Sequence, residues 1–214
     1  MSAGSGATEL GQAEAPLAST IAYRLGNALY LNVTNRCTAR CVFCPRQDDF
    51  QYREQSLLLS REPSAAELIT AVGDPAQWDE IVFCGYGEPT VRLGVVRHVA
   101  KRLRRGGARR LRLNTNGHGN LMHKRDIVPE LAECFDAISI SLNSADPEQY
   151  AGLMGLRRGG QRYFDAVVDF ARGAHAAMRD VTVTVVAVPD IDIDRARQFV
   201  AKEIGARFRA RPVF

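Results

Sequence analysis

The sequence predicts an α/β fold in which parallel strands form a curved, barrel-like sheet around a polar lumen. Segments with strand character alternate along the chain with segments of helical periodicity, which is the order typical of parallel sheets. Several strands also carry polar side chains at every second position, so one face of the sheet is apolar and the other is polar. A flat sheet covered by helices on both faces would be apolar on both.

Six segments have the strand pattern and five have the helical pattern. The strands are predicted at 28–34, 80–85, 110–115, 136–142, 181–188 and 206–213, and the helices at 63–72, 91–105, 126–135, 161–178 and 193–204. The first helix has the clearest start, because Ser64 is followed three residues later by Glu67. We divide the chain into a disordered lead-in, residues 1–20, and one domain, residues 21–214.

The polar positions of the strands define the face expected to line the lumen. They are Tyr30, Asn32 and Thr34 on the first strand, Arg112 and Asn114 on the third, Ser139 and Ser141 on the fourth, Thr182 and Thr184 on the fifth, and Arg207, Arg209 and Arg211 on the sixth.

The composition is that of an ordinary globular domain, with 46% hydrophobic and 24% charged residues in 214. Much of the net charge of +4 lies in residues 101–112, where no aromatic residues are interleaved, so we favour a solvated helix end over a nucleic-acid surface. No apolar run approaches the about 20 residues of a membrane span. The polar N-terminus does not resemble a secretory signal, and a cytoplasmic location is expected.

Three cysteines lie within eight positions, with the spacing Cys37-x3-Cys41-x2-Cys44. They could belong to a disulfide framework, a zinc site or a redox cluster. In the cytoplasm, clustered cysteines more often bind metal or catalyse than form disulfides. A closed zinc site needs four ligands, whereas three thiolates fit an iron–sulfur cluster with one iron left open. The remaining cysteines, Cys84 and Cys134, are interpreted as small buried residues whose roles stay open.

The segment CTARCVFC resembles the CxxxCxΦC signature of the radical S-adenosylmethionine (radical SAM) superfamily, with Phe43 at the aromatic position. The resemblance implies that Cys37, Cys41 and Cys44 hold a 4Fe-4S cluster and that S-adenosylmethionine binds the fourth iron. It further implies reductive cleavage of this cofactor to a 5′-deoxyadenosyl radical, which abstracts hydrogen from a substrate. A partial (β/α)6 barrel over residues 28–213 and an electron donor such as flavodoxin or ferredoxin follow from the same resemblance.

The segment FCGYGEPT resembles the Gly-Gly-Glu motif of that superfamily, with Gly85, Gly87 and Glu88 matching and Tyr86 in the middle place. Glycines let the backbone approach a ligand closely, and Glu88 could accept a hydrogen bond from the cofactor's ammonium group. The alternative is a plain turn.

Two further segments, LNTNGHG and SISLN, also follow predicted strands. By resemblance they contribute cofactor contacts, although the Asn-Gly pair of the first also fits a turn and Asn143 stands where many relatives have Asp, which leaves its partner open. Val186 on the next strand either flanks adenine or only packs in the core. All of these motifs follow the carboxyl ends of strands, where parallel sheets and barrels place active sites. The cofactor residues expected from these segments are Asn114, Asn116, Ser141, Asn143 and Val186.

The substrate is the least defined part of the prediction. Arg209 and Arg211 could hold a carboxylate or phosphate, or could pair with acidic side chains at the barrel rim. His118 and His123 follow the third strand near the expected mouth of the barrel. Either they transfer a proton or, as we favour, they are exposed loop residues without a role. The substrate is expected to be a small molecule or a peptide, and the oligomeric state is not predicted.

The motif phrases are most similar to those of the TatD-linked radical SAM proteins. Two alternatives stay open: an activase that installs a radical on a partner protein, and a non-catalytic protein that binds an iron–sulfur cluster or zinc. The Gly85–Glu88 and Ser141–Asn143 motifs argue against the second alternative, because an electron carrier needs no cofactor cleft.

Overall fold

The computed structural model describes residues 20–44, 51–52, 55–156 and 158–213. The predicted lead-in therefore lies outside the described residues except for Thr20. In chain order the strands are β1 (Ala22–Leu25), β2 (Ala28–Asn32), β3 (Gln51–Tyr52), β4 (Gln55–Ser56), β5 (Glu80–Cys84), β6 (Leu111–Thr115), β7 (Ala137–Ser141), β8 (Asp180–Val186) and β9 (Arg207–Arg211).

Seven α-helices connect or follow these strands. They are α1 (Ala65–Val72), α2 (Leu93–Arg105), α3 (Gly119–His123), α4 (Val128–Ala132), α5 (Pro147–Leu153), α6 (Gly160–Ala177) and α7 (Ile193–Phe199). Short 3-10 helices lie at Pro75–Gln77 and Pro89–Arg92, and a π-helical turn at Val200–Ile204 continues α7. Helix α1 begins with the predicted capping box between Ser64 and Glu67. In the described ranges no helix is both long enough and apolar enough to cross a membrane.

The main sheet has seven strands in the order β1-β2-β5-β6-β7-β8-β9, and every neighbouring pair from β2 to β9 is parallel. The prediction of an α/β fold with six parallel strands is therefore confirmed. Strands β1, β3 and β4 and helices α3 and α5 were not predicted. Strand β1 pairs antiparallel with β2 through a two-residue turn at Gly26 and Asn27, where Gly26 has a φ of 61°. The sheet ends at β1 and β9, so the barrel is open.

The apolar face of the sheet forms the core with the helices. Its buried members include Leu31, Phe83, Leu113, Ile140 and Val183, one from each of five neighbouring strands. The opposite face is the predicted polar one. Its residues Tyr30, Arg112, Asn114, Ser139, Ser141, Thr184, Arg209 and Arg211 line a cavity.

Four residues predicted for the polar lumen do not line that cavity. Asn32 is buried, and its Nδ2 donates to the carbonyls of Thr20 at 3.0 Å and Leu57 at 2.7 Å, which lie over it. Thr34 is also buried, and its hydroxyl donates to the Glu62 carboxylate at 2.6 Å. The chain between Leu57 and Glu62 thus covers this part of the polar face. Thr182 and Arg207 are nearer the amino ends of their strands.

An ionic network occupies the amino ends of the strands. The Glu80 carboxylate pairs with Arg110 at 2.9 Å and with Arg112 at 2.8 Å, and Asp180 pairs with both Arg110 and Arg207. Burial opposes the charge on Arg112, but its contacts with Glu80 raise the pKa above the usual arginine value. These charged side chains pair with one another at the amino ends of the strands. The candidate site lies at the opposite, carboxyl ends.

Candidate active site

The carboxyl ends of the parallel strands surround a cavity of about 320 Å³. Nearly all residues predicted for the site line it. They are Cys37, Cys41, Phe43, Cys44, Gly85, Tyr86, Gly87, Glu88, Asn114, Asn116, Ser141, Asn143, Arg209 and Arg211. Val186 is the exception: its side chain is buried outside the cavity, and its backbone N–H donates to Asn143 Oδ1 at 3.3 Å. Val186 also lies outside the main cluster of buried apolar residues, so the choice between an adenine contact and core packing stays a prediction.

Helix α5 holds the cysteine loop in place. The backbone N–H groups of Arg40 and Val42 donate to the carbonyls of Met154 and Leu153, both at 2.9 Å. At Gly155, which follows the helix, an added Cβ would lie 2.3 Å from the Arg40 carbonyl oxygen. The close approach therefore requires glycine at this position, and the loop is fixed against the helix through its backbone.

The three loop cysteines are half-buried, and none of the chain's five cysteines, all of which the structure describes, forms a disulfide. Cys37 Sγ lies 3.6 Å from Asn116 Nδ2, and Cys41 Sγ lies 3.5 Å from Met154 Sδ. No three Cys, His, Asp or Glu side chains converge on a metal position within the described ranges. Three thiols on one short loop that line one cavity are nevertheless the soft donor set that suits an iron–sulfur cluster.

The Gly85–Glu88 loop docks on the segment that joins β2 to the cysteine loop. The N–H of Gly87 donates to Thr34 O at 2.9 Å, and the N–H of Glu88 donates to Arg36 O at 2.7 Å. A Cβ at Gly87 would lie 2.2 Å from Thr34 O and 2.4 Å from Arg36 O. This bend therefore lies against the segment that leads to the cysteines, and its residues line the same cavity as the cysteines.

The carboxylate of Glu88 is buried and accepts four hydrogen bonds from other groups of the protein. Its Oε1 accepts from the N–H and hydroxyl of Thr90 at 3.0 and 2.6 Å and from the Thr115 hydroxyl at 2.8 Å. Its Oε2 accepts from the Asn116 N–H at 2.6 Å. Burial raises the pKa of Glu88, while the four donors act in the opposite direction. Only Oε2, which accepts one hydrogen bond from the protein, can accept another from a ligand. The main contacts of the carboxylate join the loop after β5 to the end of β6 and the loop after it.

The polar residues in and directly after β6 and β7 differ in the hydrogen-bonding capacity that they retain for a ligand. Asn114 Oδ1 accepts from Arg112 at 2.8 Å, and both ends of the Asn116 amide are engaged. Asn143 has a φ of 63°, a left-handed conformation that asparagine tolerates, and its Nδ2 lies 3.3 Å from Met154 Sδ. The Ser141 hydroxyl has no hydrogen bond with any residue in the described ranges.

His118 was predicted to be an exposed loop residue, and this is wrong. It is fully buried, with Nδ1 at 2.9 Å from the Thr38 hydroxyl and Nε2 at 2.5 Å from the Tyr150 hydroxyl. Burial lowers its pKa to about 4. His123 is part-buried and donates from Nε2 to the Thr90 carbonyl at 2.8 Å.

Several cavity residues were not predicted to have a role in the site. Among them are Tyr23 and Cys84. Tyr23 stacks on Tyr30 of the predicted polar face, and the Tyr23 hydroxyl lies 3.6 Å from Cys84 Sγ. Burial raises the pKa of the Cys84 thiol to about 11. The position of Cys84 in the sequence could have predicted it as a cavity residue, because it is the last residue of a strand whose carboxyl end faces the site. Cys134 packs in the core, as expected of a small buried residue.

Arg209 and Arg211 point from the same face of β9 into the cavity. Arg209 is exposed and makes no hydrogen bond or ion pair with a residue that the structure describes. Burial lowers the pKa of Arg211, Cys41 acts in the opposite direction, and the like charge of Arg209 lowers it further. The rim of the cavity formed by β9 is therefore positively charged.

A comparison with family models matches the radical SAM superfamily over residues 31–202. Among curated proteins, the GTP 3′,8-cyclase of Pseudomonas entomophila (strain L48) is 32% identical over 188 residues, which are 84% of this chain and 52% of that protein. The GTP 3′,8-cyclase of Streptomyces coelicolor is 27% identical over 178 residues, 83% of this chain and 50% of that protein. The chain thus spans about half the length of the curated relatives it matches.

Solved structures support the fold alone, because their sequences are distant. TYW1 with a bound lysine-pyruvate adduct superposes with a TM-score of 0.60 and 12% identity, over 88% of this chain and 65% of that one. Methylornithine synthase has a TM-score of 0.58 and 13% identity, over 88% of this chain and 55% of that one. Since the family model covers most of the chain, the chain belongs to the radical SAM superfamily, whose enzymes use a 4Fe-4S cluster and S-adenosylmethionine.

Proposed function

We propose that the chain is a radical SAM enzyme in which Cys37, Cys41 and Cys44 hold the 4Fe-4S cluster. The observation that carries this proposal is that the three thiols open onto the same cavity as the Gly85–Glu88 loop and Ser141. When bound, the reduced cluster and S-adenosylmethionine supply a 5′-deoxyadenosyl radical that removes a hydrogen atom from the substrate. The tasks left to this chain are to bind, to orient and to exclude water.

The cofactor would lie between the cysteine loop and the loops that follow β5, β6 and β7. Gly85 and Gly87 keep the backbone close to it, and Phe43 and Tyr86 offer aromatic surface at the cavity wall. We assign Glu88 Oε2 and the Ser141 hydroxyl as its polar contacts, because these groups retain hydrogen-bonding capacity. Asn114, Asn116 and Asn143 shape this bed, and Val186 supports it through its bond to Asn143.

We further propose that the substrate carries a carboxylate or a phosphate held by Arg209 and Arg211. The support is the position of both side chains in the cavity and the lack of a partner for Arg209 among the described residues. GTP is the first phosphate compound to test, because the curated relatives are named for it. Arg209→Ala should weaken substrate binding at least tenfold, since a charged hydrogen bond is lost. Arg207→Ala is the matched control, because Arg207 pairs with Asp180 outside the cavity.

The finer assignments rest on sequence motifs. LYLNVTNRCTARCVFC and IVFCGYGEPT resemble the TatD-linked group, and we place the chain there. We also place it in the cytoplasm, where clustered thiols stay reduced, with flavodoxin or ferredoxin as electron donor. The open edge of the sheet leaves the cavity accessible to a partner, and an activase acting on a partner protein is the second candidate function. Closure by substrate or partner would keep water from the radical.

The test is anaerobic purification, reconstitution with iron and sulfide, reduction, and addition of S-adenosylmethionine. Release of 5′-deoxyadenosine, measured by liquid chromatography and mass spectrometry, is the expected result. Cys41→Ala should abolish it, and Cys134→Ala should not, because Cys134 lies in the core. Tightly bound zinc, with no cleavage of S-adenosylmethionine under any reductant, would contradict the proposal and favour a non-catalytic metal-binding protein.

A further inference from the structure

The floor of the cavity is formed by Tyr30, Arg112, Asn114 and Ser139, which lie on the strands below the carboxyl-end loops. Arg112 is the centre of this floor. Its Nε donates to Glu80 Oε2 at 2.9 Å, and its Nη2 donates to the Tyr30 hydroxyl at 3.2 Å. Its Nη1 donates to Asn114 Oδ1 at 2.8 Å. The guanidinium group is thus held on three sides by acceptors of the protein.

The guanidinium group decides which way the Asn114 amide is turned. An asparagine amide carries an acceptor oxygen and a donor nitrogen, which exchange places when the group turns over. Arg112 has five N–H donors and no acceptor, so the atom that faces it must be the Asn114 oxygen. The Asn114 nitrogen is thereby turned away from Arg112 with both of its N–H donors. No residue that the structure describes makes a hydrogen bond with this nitrogen.

A second unused polar group lies beside this nitrogen. Ser139 on β7 is the register partner of Asn114, and the two strands are about 4.8 Å apart, so one ligand atom can reach both side chains. The Ser139 hydroxyl has no hydrogen bond within the described part of the chain. In that part, the buried side-chain nitrogen and oxygen atoms without a partner are Asn32 Oδ1 and Arg97 Nε. Asn114 Nδ2 and Ser139 Oγ are not among them and are therefore accessible from the cavity that they line.

These two groups lie one row deeper than the groups assigned to the cofactor. Ser141 follows Ser139 by two residues on the same face of β7, which places it about 6.6 Å nearer the carboxyl ends of the strands. Ser141 pairs in register with Thr184, and Thr184 pairs with Arg209. The proposed anion site therefore shares the row of Ser141, while Asn114 and Ser139 form the row below it. A substrate held at the rim can reach down to this row.

We propose that Asn114 Nδ2 and the Ser139 hydroxyl bind a carbonyl oxygen of the substrate at the floor of the cavity, with Arg112 as the positioning residue. The inference deepens the proposed function, because it takes the carboxyl-end loops as the place of the cofactor. Both donors are uncharged, and the positive charge of Arg112 is paired with Glu80 at 2.8 Å. An uncharged carbonyl therefore suits this subsite, whereas a carboxylate or phosphate suits Arg209. The substrate class is a small molecule that carries both a carbonyl group and an anionic group.

The first test inverts the polarity of the subsite with two small probes. N,N-dimethylacetamide offers a carbonyl oxygen and no donor, whereas methylammonium offers N–H donors and no acceptor. Each is titrated into the isotopically labelled chain while nuclear magnetic resonance follows the amides of Asn114 and Ser139. Wild type should bind dimethylacetamide more tightly than methylammonium. Asn114→Asp keeps the oxygen that faces Arg112 but turns an acceptor towards the cavity, so the preference should reverse.

The contribution of the second donor is measured with the same probes. Ser139→Ala should weaken the binding of dimethylacetamide about two- to tenfold, the size of one neutral hydrogen bond. The binding of methylammonium should not weaken by the same factor, because the proposed role of the hydroxyl is to donate. Equal affinities of Ser139→Ala and wild type for dimethylacetamide would contradict the role of Ser139.

A second pair of variants tests the role of Arg112. Arg112→Gln puts an amide where the guanidinium stood, and an amide can donate or accept. The Asn114 amide can then turn over, so the ratio of the two probe affinities should fall about two- to tenfold. Arg110→Gln is the matched control, because the side-chain hydrogen bonds of Arg110 among the described residues go to Glu80 and Asp180. It should leave the ratio unchanged, and a loss of stability common to both variants does not alter a ratio.

The inference is overturned by a wild-type chain without the carbonyl preference, by a carbonyl preference retained in Asn114→Asp, or by an unchanged ratio in Arg112→Gln. The titrations use the reconstituted chain and, as a second sample, the metal-free chain, because β6 and β7 build the subsite without the cluster. The predicted preferences without cofactor cleavage after reconstitution contradict the proposed function alone. Cofactor cleavage without these preferences contradicts the inference alone.

Discussion

The Glu88 carboxylate accepts a hydrogen bond of 2.6 Å from the backbone N–H of Asn116 and so joins the loop after β5 to the loop after β6. The Glu88 N–H in turn donates to Arg36 O, which adds the cysteine loop to the same junction. One buried residue, through its side chain and its backbone N–H, therefore joins three loops of the candidate active site. The site depends on this junction before any cofactor binds.

We expect Glu88→Ala to lower the free energy of unfolding by about 3 kcal/mol, because buried donors on Thr90, Thr115 and Asn116 lose their acceptor. Urea denaturation of the metal-free chain measures this. Glu133→Ala is the control, since Glu133 forms a surface pair with Lys101 at 3.3 Å. That change should stay within about 0.5 kcal/mol. Equal stability of Glu88→Ala and wild type would show that the junction is not structural.

Gly87→Ala should prevent the Gly85–Glu88 loop from docking, because its Cβ would meet two backbone carbonyls that cannot move aside easily. The expected cost is several kcal/mol, on the order of 3, together with loss of cluster uptake. Gly94→Ala is the matched change on α2, where an added Cβ meets nothing within 4 Å, and it should be neutral or slightly stabilising. Thermal unfolding with iron content distinguishes the two. Normal iron uptake by Gly87→Ala would contradict the close approach.

His118 should make stability depend on pH in the acid range. Its pKa is lowered to about 4 in the folded chain, against about 6.5 when unfolded, so the unfolded state binds the proton first. Stability contributed by neutral His118 is complete above pH 6.5 and is lost as the pH falls towards 4, by about 3 kcal/mol. Unfolding of wild type and His118→Gln across this range provides the test. The variant should have the shallower slope, and parallel slopes would contradict the buried, neutral imidazole.

Cys84 should react slowly with alkylating agents although its thiol lines the cavity. Its pKa is raised to about 11 by burial, so only about one thiol in a thousand is ionised at pH 8. Cys44, which is half-buried on the loop, should be labelled first. Mass spectrometry of the metal-free chain after timed exposure to iodoacetamide gives the order. Labelling of Cys84 as fast as Cys44 would show that the cavity wall is open there.

The sequence was sufficient to predict those parts of the fold and site that depend on local patterns. Alternation along the strands placed Arg112, Ser141 and Arg209 on the cavity face, and the residues of the cysteine and strand-end motifs line the same cavity. Asn32 and Thr34 share that alternation, but the segment ending at Glu62 covers them, and no local pattern reveals what packs over a strand end.

The missed features depend on distant contacts or on weak local signals. The burial of His118 requires Thr38 and Tyr150, which lie 80 and 32 residues away, so a lone histidine after an Asn-Gly turn gave no indication of it. Helix α5 had a start signal in Asp146 followed by Pro147, but it spans only seven residues. Its importance comes from its contacts with the cysteine loop, which periodicity does not show.

The most direct test of the central claim is the electron paramagnetic resonance spectrum of the reduced, reconstituted chain with and without S-adenosylmethionine. We predict a spectrum of a reduced 4Fe-4S cluster that changes when the cofactor is added, because the three cysteines leave one iron available to it. The signal should be absent from Cys37→Ala, Cys41→Ala and Cys44→Ala and retained in the Cys84→Ala/Cys134→Ala double variant. A cluster whose spectrum ignores the cofactor, or one that requires Cys84 or Cys134, would contradict the account.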